Sequence, residues 1–261
     1  MATYLDDILA RHRAAAATDT RATGELAERA RGLPACRGFR DALERGTELA
    51  VIAEVKRRSP SKGPLAPDLD PGVLAATYES AGAACLSVLT DHDSFGGSPQ
   101  DLAAARAAVG LPVIRKDFTV SANDVCDARL MGADCVLLIA AALDDAELSD
   151  FAALAADIGL DVLVEVHDEE ELERAVATTA GDLIGVNQRD LVTFEVDRAR
   201  AVRLAASMPA GAVRVAESGV RGPGDAVALA AAGYHAVLVG EHLVTAGDTS
   251  AALRGLRVPR G

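Results

Sequence analysis

The chain has 261 residues, of which half are hydrophobic, 3% are aromatic and none is tryptophan. Its net charge of −13 at pH 7 argues against nucleic acid as a partner, because a protein that binds nucleic acid needs a basic surface. The length is enough for one large domain or two small ones, and α/β barrels commonly reach it.

The N-terminal segment predicts an amphipathic helix. Four of its residues share one face of that helix: Leu5, Ile8, Leu9 and His12. The segment lacks the apolar stretch of a signal peptide, and no apolar run in the chain approaches the ~18 residues of a membrane span. We expect a single domain over residues 1–261, with residues 1–48 as a helical extension packed on it, because that segment is too short for its own core.

Cysteine and histidine usage indicates a reducing compartment and no metal. The cysteines, which are Cys36, Cys85, Cys126 and Cys135, show no CxxC spacing. Cys85 and Cys135 lie in apolar runs, which is typical of reduced core thiols. The histidines form no HxH or HExxH pair, so the sequence predicts no metal site. Together these features predict a soluble cytoplasmic protein without membrane contact.

Four segments repeat one pattern, in which a glycine after a helical stretch leads into a short apolar run. They are "AGAACLSVLTD" (81–91), "MGADCVLLIAA" (131–141), "TAGDLIGVNQRD" (179–190) and "AAGYHAVLVGEH" (231–242). The glycine fits a helix C-cap, and the continuous apolar run fits a parallel strand covered on both faces. Four further candidate strands alternate with these: "LAVIAEVK" (49–56), "PVIRKDF" (112–118), "DVLVEVH" (161–167) and "AVRVAES" (212–218).

Helical patterns fill the gaps between the candidate strands, for example at 71–81, 121–131, 168–179 and 222–232. Eight strands in strict alternation with helices predict a closed (β/α)₈ TIM barrel. A doubly wound open sheet is the alternative. It usually has fewer strands and a glycine-rich dinucleotide fingerprint after the first one, which is absent here.

Polar residues recur where the predicted strands end, and the N-terminal halves of the same strands are almost purely apolar. In chain order they are Glu54, Lys56, Ser87, Lys116, Glu165, Asn187, Arg189, Glu217, Ser218, Gly240 and Glu241. The C-terminal ends of barrel strands carry the active site, so this asymmetry predicts one there. Glu54 and Lys56 share a face at a two-residue interval.

Structural interpretations of these residues stay open. Glu54 and Lys56 could form a buried ion pair, although such pairs seldom stabilise a core relative to apolar residues. Lys116 could be a solvated strand terminus, and Asn187 could satisfy backbone groups in a turn. Glu165 is flanked by valines and needs a partner such as a lysine. We expect His167 to be a helix-entry or rim residue.

Two glycine-containing segments indicate a phosphate site. "ESGVRG" (217–222) ends the seventh strand and "VGEHL" (239–243) ends the eighth, which are the strands whose loops bind phosphate in many barrel enzymes. The basic loop "RRSPSKG" (57–63) could add a serine hydroxyl and a lysine. Basic residues clustered at strand ends of an acidic protein favour a small anionic ligand.

The series "IAEVKRRSPSKG", "FGGSPQDL", "VIRKDF", "GADCVLLIAA", "LVEVH", "GVNQRDLVTFEVD", "AESGV" and "VLVGEHLV" resembles the indole-3-glycerol phosphate synthase family over nearly the whole chain. The resemblance implies ring closure, decarboxylation and dehydration of 1-(2-carboxyphenylamino)-1-deoxyribulose 5-phosphate in tryptophan biosynthesis. It implies no metal and no cofactor, and a substrate that carries a carboxylate and a phosphate.

The resemblance also implies residue roles. Lys116 would be the general acid and Glu165 the acid/base of dehydration. Lys56 would pair with the substrate carboxylate, Glu54 would orient Lys56, and Asn187 would hold a sugar hydroxyl. The implied phosphate residues are Ser59, Gly219, Gly240 and Glu241, and the implied apolar wall is Pro60, Phe118 and Leu191. Ser218 matches a catalytic position, and Arg189 and Glu217 match substrate-binding positions, with less specific roles.

Some features depart from the family pattern. Gln188 and Glu241 stand where many relatives have smaller residues, and we expect Glu241 to point away from the phosphate and to use only its amide. Arg57 and Arg58 make the first loop unusually basic. From burial, we expect the pKa of Lys116 to be lowered and that of Glu165 to be raised.

Two other functions are alternatives for such a barrel. A phosphoribosyl isomerase would carry paired aspartates at strand ends one and five, where this chain has Glu54, Lys56 and Glu165. A catalytically silent barrel would have lost Lys116 or Glu165. The sequence favours the enzyme, with a monomer as the working expectation and with other tryptophan-pathway enzymes left open as partners.

Overall fold

The computed structural model describes residues 4–190 and 192–261. Three helices precede the first strand: α1 (Tyr4–Ala17), α2 (Thr23–Arg31) and α3 (Phe39–Glu44). Ile8 of α1 is buried, as its place on the apolar face predicts. Arg13 of the same helix donates to Glu147 Oε1 at 2.7 Å. The N-terminal helices are therefore tied to the body of the protein by both apolar and charged contacts.

Eight strands make the central sheet: Ala50–Val55 (β1), Cys85–Leu89 (β2), Val113–Lys116 (β3), Cys135–Ile139 (β4), Asp161–Val166 (β5), Leu183–Asn187 (β6), Val213–Glu217 (β7) and Ala236–Val239 (β8). Each strand pairs in parallel with the next along the chain, and β8 pairs with β1. The sheet is closed, which confirms the (β/α)₈ barrel over the open sheet. A short antiparallel ribbon, Arg58–Ser59 with Gly63–Pro64, lies in the loop after β1.

The helices after β1 surround the barrel. They are Pro71–Ala81 (α4), His92–Phe95 (α5), Pro99–Ala108 (α6), Ala122–Leu130 (α7), Asp145–Asp157 (α8), Glu169–Thr178 (α9), Arg200–Leu204 (α10), Pro223–Ala231 (α11), Glu241–Val244 (α12) and Thr249–Leu256 (α13), with 3₁₀ turns at Ala140–Ala142 and Ala205–Ser207. Among the residues that the structure describes, no helix is long and apolar enough to cross a bilayer.

Local sequence explains where these helices begin and end. Asp70 accepts a hydrogen bond from the amide of Val73 at the start of α4, and Asp168 accepts one from the amide of Glu171 at the start of α9. Gly82 ends α4 with φ 93°, a left-handed conformation that glycine adopts without a steric penalty. The predicted helices at 71–81, 121–131, 168–179 and 222–232 all lie within one residue of the observed bounds.

The core has two layers, one inside the barrel and one between the strands and the helices. Every residue of β1, β2, β4, β6 and β8 is buried, which matches the continuous apolar runs of the sequence. All four cysteines are free thiols. A sheet buried on both faces fixes the strand ends, and with them the loops that follow.

Candidate active site

A cavity of about 480 Å³ opens at the C-terminal ends of the strands, a size typical of small-molecule sites. All the predicted site residues that the structure describes line it: Glu54, Lys56, Ser59, Pro60, Lys116, Phe118, Glu165, Asn187, Arg189, Glu217, Ser218, Gly219, Gly240 and Glu241. Leu191 lies outside the described residues. Apart from Ser87, which is buried and does not line the cavity, the polar residues that the sequence singled out at the strand ends therefore converge on one chamber.

Lys116 stands between two buried carboxylates at the centre of this chamber. Its Nζ lies 2.8 Å from Glu165 Oε2 and 3.6 Å from Glu217 Oε2. Glu165 and Glu217 are each 1% exposed. The three residues end β3, β5 and β7, so alternate strands of the barrel bring them together. One cation thus faces two acids in a site with little water to screen them.

The two acids differ in their pKa values. Burial favours the neutral form of Glu165, but Lys116, His167 and Asn187 outweigh it and lower the pKa of Glu165. Burial and the charge of Glu165 raise the pKa of Glu217. Burial opposes the charge of Lys116, yet the two carboxylates raise its pKa above the usual value. The expectations from burial alone, a lowered pKa for Lys116 and a raised one for Glu165, are therefore wrong, because the neighbouring charges dominate.

Asn187 holds Glu165 and the turn after β6 together. Its Nδ2 donates to Glu165 Oε1 at 2.9 Å, and its Oδ1 accepts from the amide of Arg189 at 3.0 Å. The structural interpretation of this residue is therefore confirmed. It satisfies a backbone group, and it also orients a carboxylate of the cavity.

Glu54 and Lys56 form an ion pair at the end of β1, on the shared face that their spacing predicts. A methyl group on Gly240 would collide with Glu54 Oε1, so glycine at the end of β8 makes room for this carboxylate. Gly185 does the same for Glu217, because a Cβ there would collide with Glu217 Oε1. Sequence reasoning missed Gly185; a glycine inside a strand pattern is the clue that could have found it.

The loops after β7 and β8 carry an unusual backbone and a charged pair. Ser218 and Gly219 both have positive φ, 64° and 74°, and the strained serine is typical of a functional turn. Gln188 Nε2 donates to Ser218 O at 2.8 Å and supports this turn. Glu241 lies 3.4 Å from Lys62 Nζ, so a lysine of the first loop faces its carboxylate.

Ser59 is buried in the loop after β1, and its Oγ has no hydrogen-bond partner within residues 4–190 and 192–261. Buried hydroxyls are rarely left without a partner. An unpartnered hydroxyl that lines the cavity is suited to a polar group of a ligand.

Aromatic side chains also line the chamber. The centroid of the Phe118 ring lies 5.5 Å from that of the His12 ring and 6.4 Å from that of the Phe95 ring. Phe194, in the loop after β6, lies 5.3 Å from Tyr4 of α1. Phe95, Phe194 and the contacts of α1 were not predicted, because they lie outside the barrel strands and across long sequence separations.

Helix α1 reaches the site through a polar cluster. Asp91 Oδ2 accepts from Arg11 and contacts His12 Nε2, both at 2.9 Å, and Asp117 accepts from Arg115 at 2.9 Å. Ligand atoms of His12, Asp91 and Asp117 lie within 4.8 Å of one another, close enough to hold a cation. The two arginines already neutralise the carboxylates, so the geometry favours an anchor for α1 over a metal centre.

Several known proteins resemble this chain in sequence. Residues 5–256 match the family model described as indole-3-glycerol phosphate synthase. Indole-3-glycerol phosphate synthase 2 of Streptomyces coelicolor is 51% identical over 236 residues, covering 90% of this chain and 91% of that protein. Indole-3-glycerol phosphate synthase of Mycolicibacterium vanbaalenii is 49% identical over 257 residues, covering 98% and 94%.

A solved structure also resembles the chain. Thiamine phosphate pyrophosphorylase from Pyrococcus furiosus matches with a TM-score of 0.59 at 16% identity, covering 83% of this chain and 95% of that one. At this identity the likeness shows a shared fold alone.

Proposed function

The chain belongs to the indole-3-glycerol phosphate synthase family of tryptophan-pathway carboxy-lyases, and we propose that Lys116, Glu165 and the groups around them carry out its reaction in the cavity at the strand ends. The substrate is a small phosphorylated molecule. The observation that carries the assignment of roles is Lys116 held between two buried carboxylates of different pKa.

The reaction sets what the site must supply. Ring closure joins the aromatic carbon that bears the carboxylate to the ketose carbonyl carbon, and the carbonyl oxygen takes up a proton. Loss of carbon dioxide restores the aromatic ring with no proton transfer. Dehydration releases the hydroxyl as water, which takes a second proton, and removes one proton from the neighbouring carbon. An acid and a base are both needed.

Lys116 is the proposed acid. Its raised pKa keeps the ammonium protonated at neutral pH, so a proton is present before ring closure begins. Glu165 and Glu217 hold the ammonium in place, which reduces the freedom that it must lose during the reaction. A cation at the carbonyl oxygen also stabilises the negative charge that develops there.

Glu165 is the proposed base for dehydration. Its lowered pKa makes it the ionised partner of the two acids, and Asn187 fixes one of its oxygens at 2.9 Å. The other oxygen lies 2.8 Å from Lys116, so a proton taken from carbon can pass back to the lysine for the next cycle. Asn187 and Arg189 are the proposed contacts for the sugar hydroxyls and the bound ring.

Lys56 is the proposed partner of the substrate carboxylate, with Glu54 holding it in position. The proposed phosphate site comprises Ser59, Gly219, Gly240 and Glu241, and the free Ser59 hydroxyl supports it. The proposed wall around the aromatic ring contains Pro60 and Phe118, which line the same cavity. A carboxylate at one end and a phosphate at the other would then fix the direction of the substrate.

We further propose a cytoplasmic protein that works as a monomer and needs no metal or cofactor. Free thiols at all four cysteines support a reducing compartment. Gel filtration coupled to light scattering would test the monomer. A dimer mass at micromolar concentration would contradict it.

The test of the residue roles is turnover of 1-(2-carboxyphenylamino)-1-deoxyribulose 5-phosphate in buffer with a chelator, followed by indole fluorescence. The chain contains no tryptophan, so the protein background is low. We expect Lys116→Met to lower kcat by about 10³-fold with little change in KM, because only transition-state stabilisation is lost. Binding of the substrate by wild type without turnover would contradict the proposed mechanism and favour a silent barrel.

A further inference from the structure

His167 lies behind Glu165 in a position that the mechanism above does not use. The sequence predicts it at a helix entry or at the rim; it does precede α9, and its side chain is mostly buried, with 11% exposure. Its Nε2 lies 3.6 Å from Glu165 Oε1. Among the described residues this nitrogen has no hydrogen-bond partner. The ring therefore presents an uncommitted nitrogen to Glu165, at an ion-pair distance.

Glu171 fixes the ring in this orientation. Its Oε2 accepts from the backbone amide of His167 at 2.8 Å and contacts Nδ1 at 3.0 Å. A carboxylate at Nδ1 favours a proton on that nitrogen, which leaves Nε2 as the one that titrates towards Glu165. The same carboxylate caps the turn into α9, so the position of the ring is built into the start of the helix.

Three charged groups act on the imidazole. Burial and Arg200 of α10 disfavour its charge, whereas Glu171 of α9 and Glu165 of β5 favour it. The carboxylates prevail, and the pKa of His167 lies above its usual value. His167 is then charged in mildly acidic solution, with its second N–H directed at Glu165.

The charge of His167 adds to a preference for an ionised Glu165 that the nearer Lys116 and Asn187 already give. Glu165 and Glu217 are both buried at 1% exposure and both face Lys116. Two close carboxylates in a dry site share one proton at neutral pH. Only a carboxylate can act as the base of dehydration, so the site must place the proton on the other acid.

We propose that His167, held by Glu171, is a positioning residue that assigns the negative charge to Glu165 and the shared proton to Glu217. The imidazolium lies beside Glu165 and stabilises its anion. The base therefore stands where Asn187 already orients it. This assignment rests on the proposed function of Glu165 as the base, but the distribution of the proton is a property of the protein that can be measured without turnover.

The kinetic test compares His167→Gln with Glu170→Gln, which removes one charge from an exposed residue of α9. Without the imidazolium, the pKa of Glu165 rises. The acid limb of the kcat profile then moves to higher pH by about one unit, while kcat at neutral pH and KM change less than about twofold. Glu170→Gln is expected to match wild type. If the acid limb of the kcat profile of His167→Gln matched that of wild type, the proposal would be wrong and His167 would serve packing alone.

The second test needs no variant of His167. Carbon-13 NMR of glutamate carboxyls, assigned with Glu165→Gln and Glu217→Gln, is expected to show the low titration for Glu165 and the high one for Glu217. Nitrogen-15 NMR is expected to show a charged His167 at about pH 6. A neutral His167 at that pH, or a proton that resides on Glu165, would overturn the proposal even if the enzyme is active. An inactive enzyme with the expected titrations would instead contradict the catalytic role of Glu165.

Discussion

The two ends of the barrel hold buried carboxylates in opposite ways. At the N-terminal end, Asp134 is fully buried and both of its oxygens are satisfied: the amides of Arg37 and Val113 donate to them at 2.9 Å, and Arg106 forms an ion pair. At the C-terminal end, Glu217 Oε1 has no hydrogen-bond partner among the described residues.

The difference shows how structural and functional charge can be told apart. A carboxylate that serves stability has every lone pair committed to donors that do not move. A carboxylate that serves chemistry keeps a site open and shares its ion-pair partner with a second acid, as Glu217 shares Lys116 with Glu165. The number of partners, rather than burial, separates the two ends.

The largest effect is expected from Asp134→Asn, which tests the stability side of this comparison. The amide would turn a donor towards groups that already donate and would leave Arg106 without its anion. We expect the free energy of unfolding to fall by about 3 kcal/mol, measured by urea denaturation. kcat per folded molecule should equal that of wild type. A large loss of kcat with unchanged stability would show that the two ends do not differ in this way.

A smaller effect is expected from Gly185→Ala, which disturbs Glu217 without changing its charge. The added methyl would collide with Glu217 Oε1 and push the carboxyl away from Lys116. We expect kcat to fall about tenfold with little change in KM. Gly211→Ala is the matched control, because no atom lies within 4 Å of a Cβ there. Equal kcat values for the two variants would show that Gly185 does not position Glu217 in the site.

The raised pKa of Glu217 should make the free energy of unfolding depend on pH. Because its folded pKa is raised, the folded state keeps a proton that the unfolded chain releases above pH 4.5. The stabilisation is complete below pH 4.5 and is lost as pH rises towards the folded pKa. Between about pH 5 and about pH 8, we expect the free energy of unfolding of wild type to fall relative to that of Glu217→Gln. Parallel curves for the two proteins would contradict the raised pKa.

The smallest effect is expected at the pair formed by Lys62 and Glu241. Both side chains are partly exposed, so the pair contributes little to stability. Glu241→Gln removes a negative charge near the proposed phosphate site and frees Lys62 for the substrate. We expect KM to fall about twofold and kcat to stay constant, with the effect screened by added salt. A rise in KM would instead show that Glu241 is needed to hold the first loop.

Much of this architecture could be predicted from local patterns. Eight strands that alternate with helices are predicted by glycine C-caps, Ser and Asp N-caps and continuous apolar runs. The barrel follows from this alternation. The polar strand ends at Glu54, Lys116 and Glu165 follow from the same reading, because a fold of this kind brings its C-terminal ends together.

The electrostatics of the site could not be predicted in the same way. The sign of the pKa shifts of Lys116 and Glu165 depends on distances between side chains of β3, β5 and β7, which sequence order does not contain. The orientation of the His167 ring towards Glu165 likewise depends on Glu171 at the start of α9. Residue type and local sequence predict that burial disfavours the charged form of a side chain. Only the fold determines which neighbouring charge opposes that effect.

The anchoring of α1 has a consequence for engineering. Tyr4 lies against Phe194, and Arg11 and His12 reach the loop after β2, so the amino-terminal side of the chain runs beside the entrance of the cavity. The carboxyl-terminal side does not, since Val258 and Arg260 pair with the backbone just before β1, at the opposite end of the barrel. A fused domain, affinity tag or surface linker would therefore leave substrate access free at the carboxyl-terminal side and crowd it at the amino-terminal side.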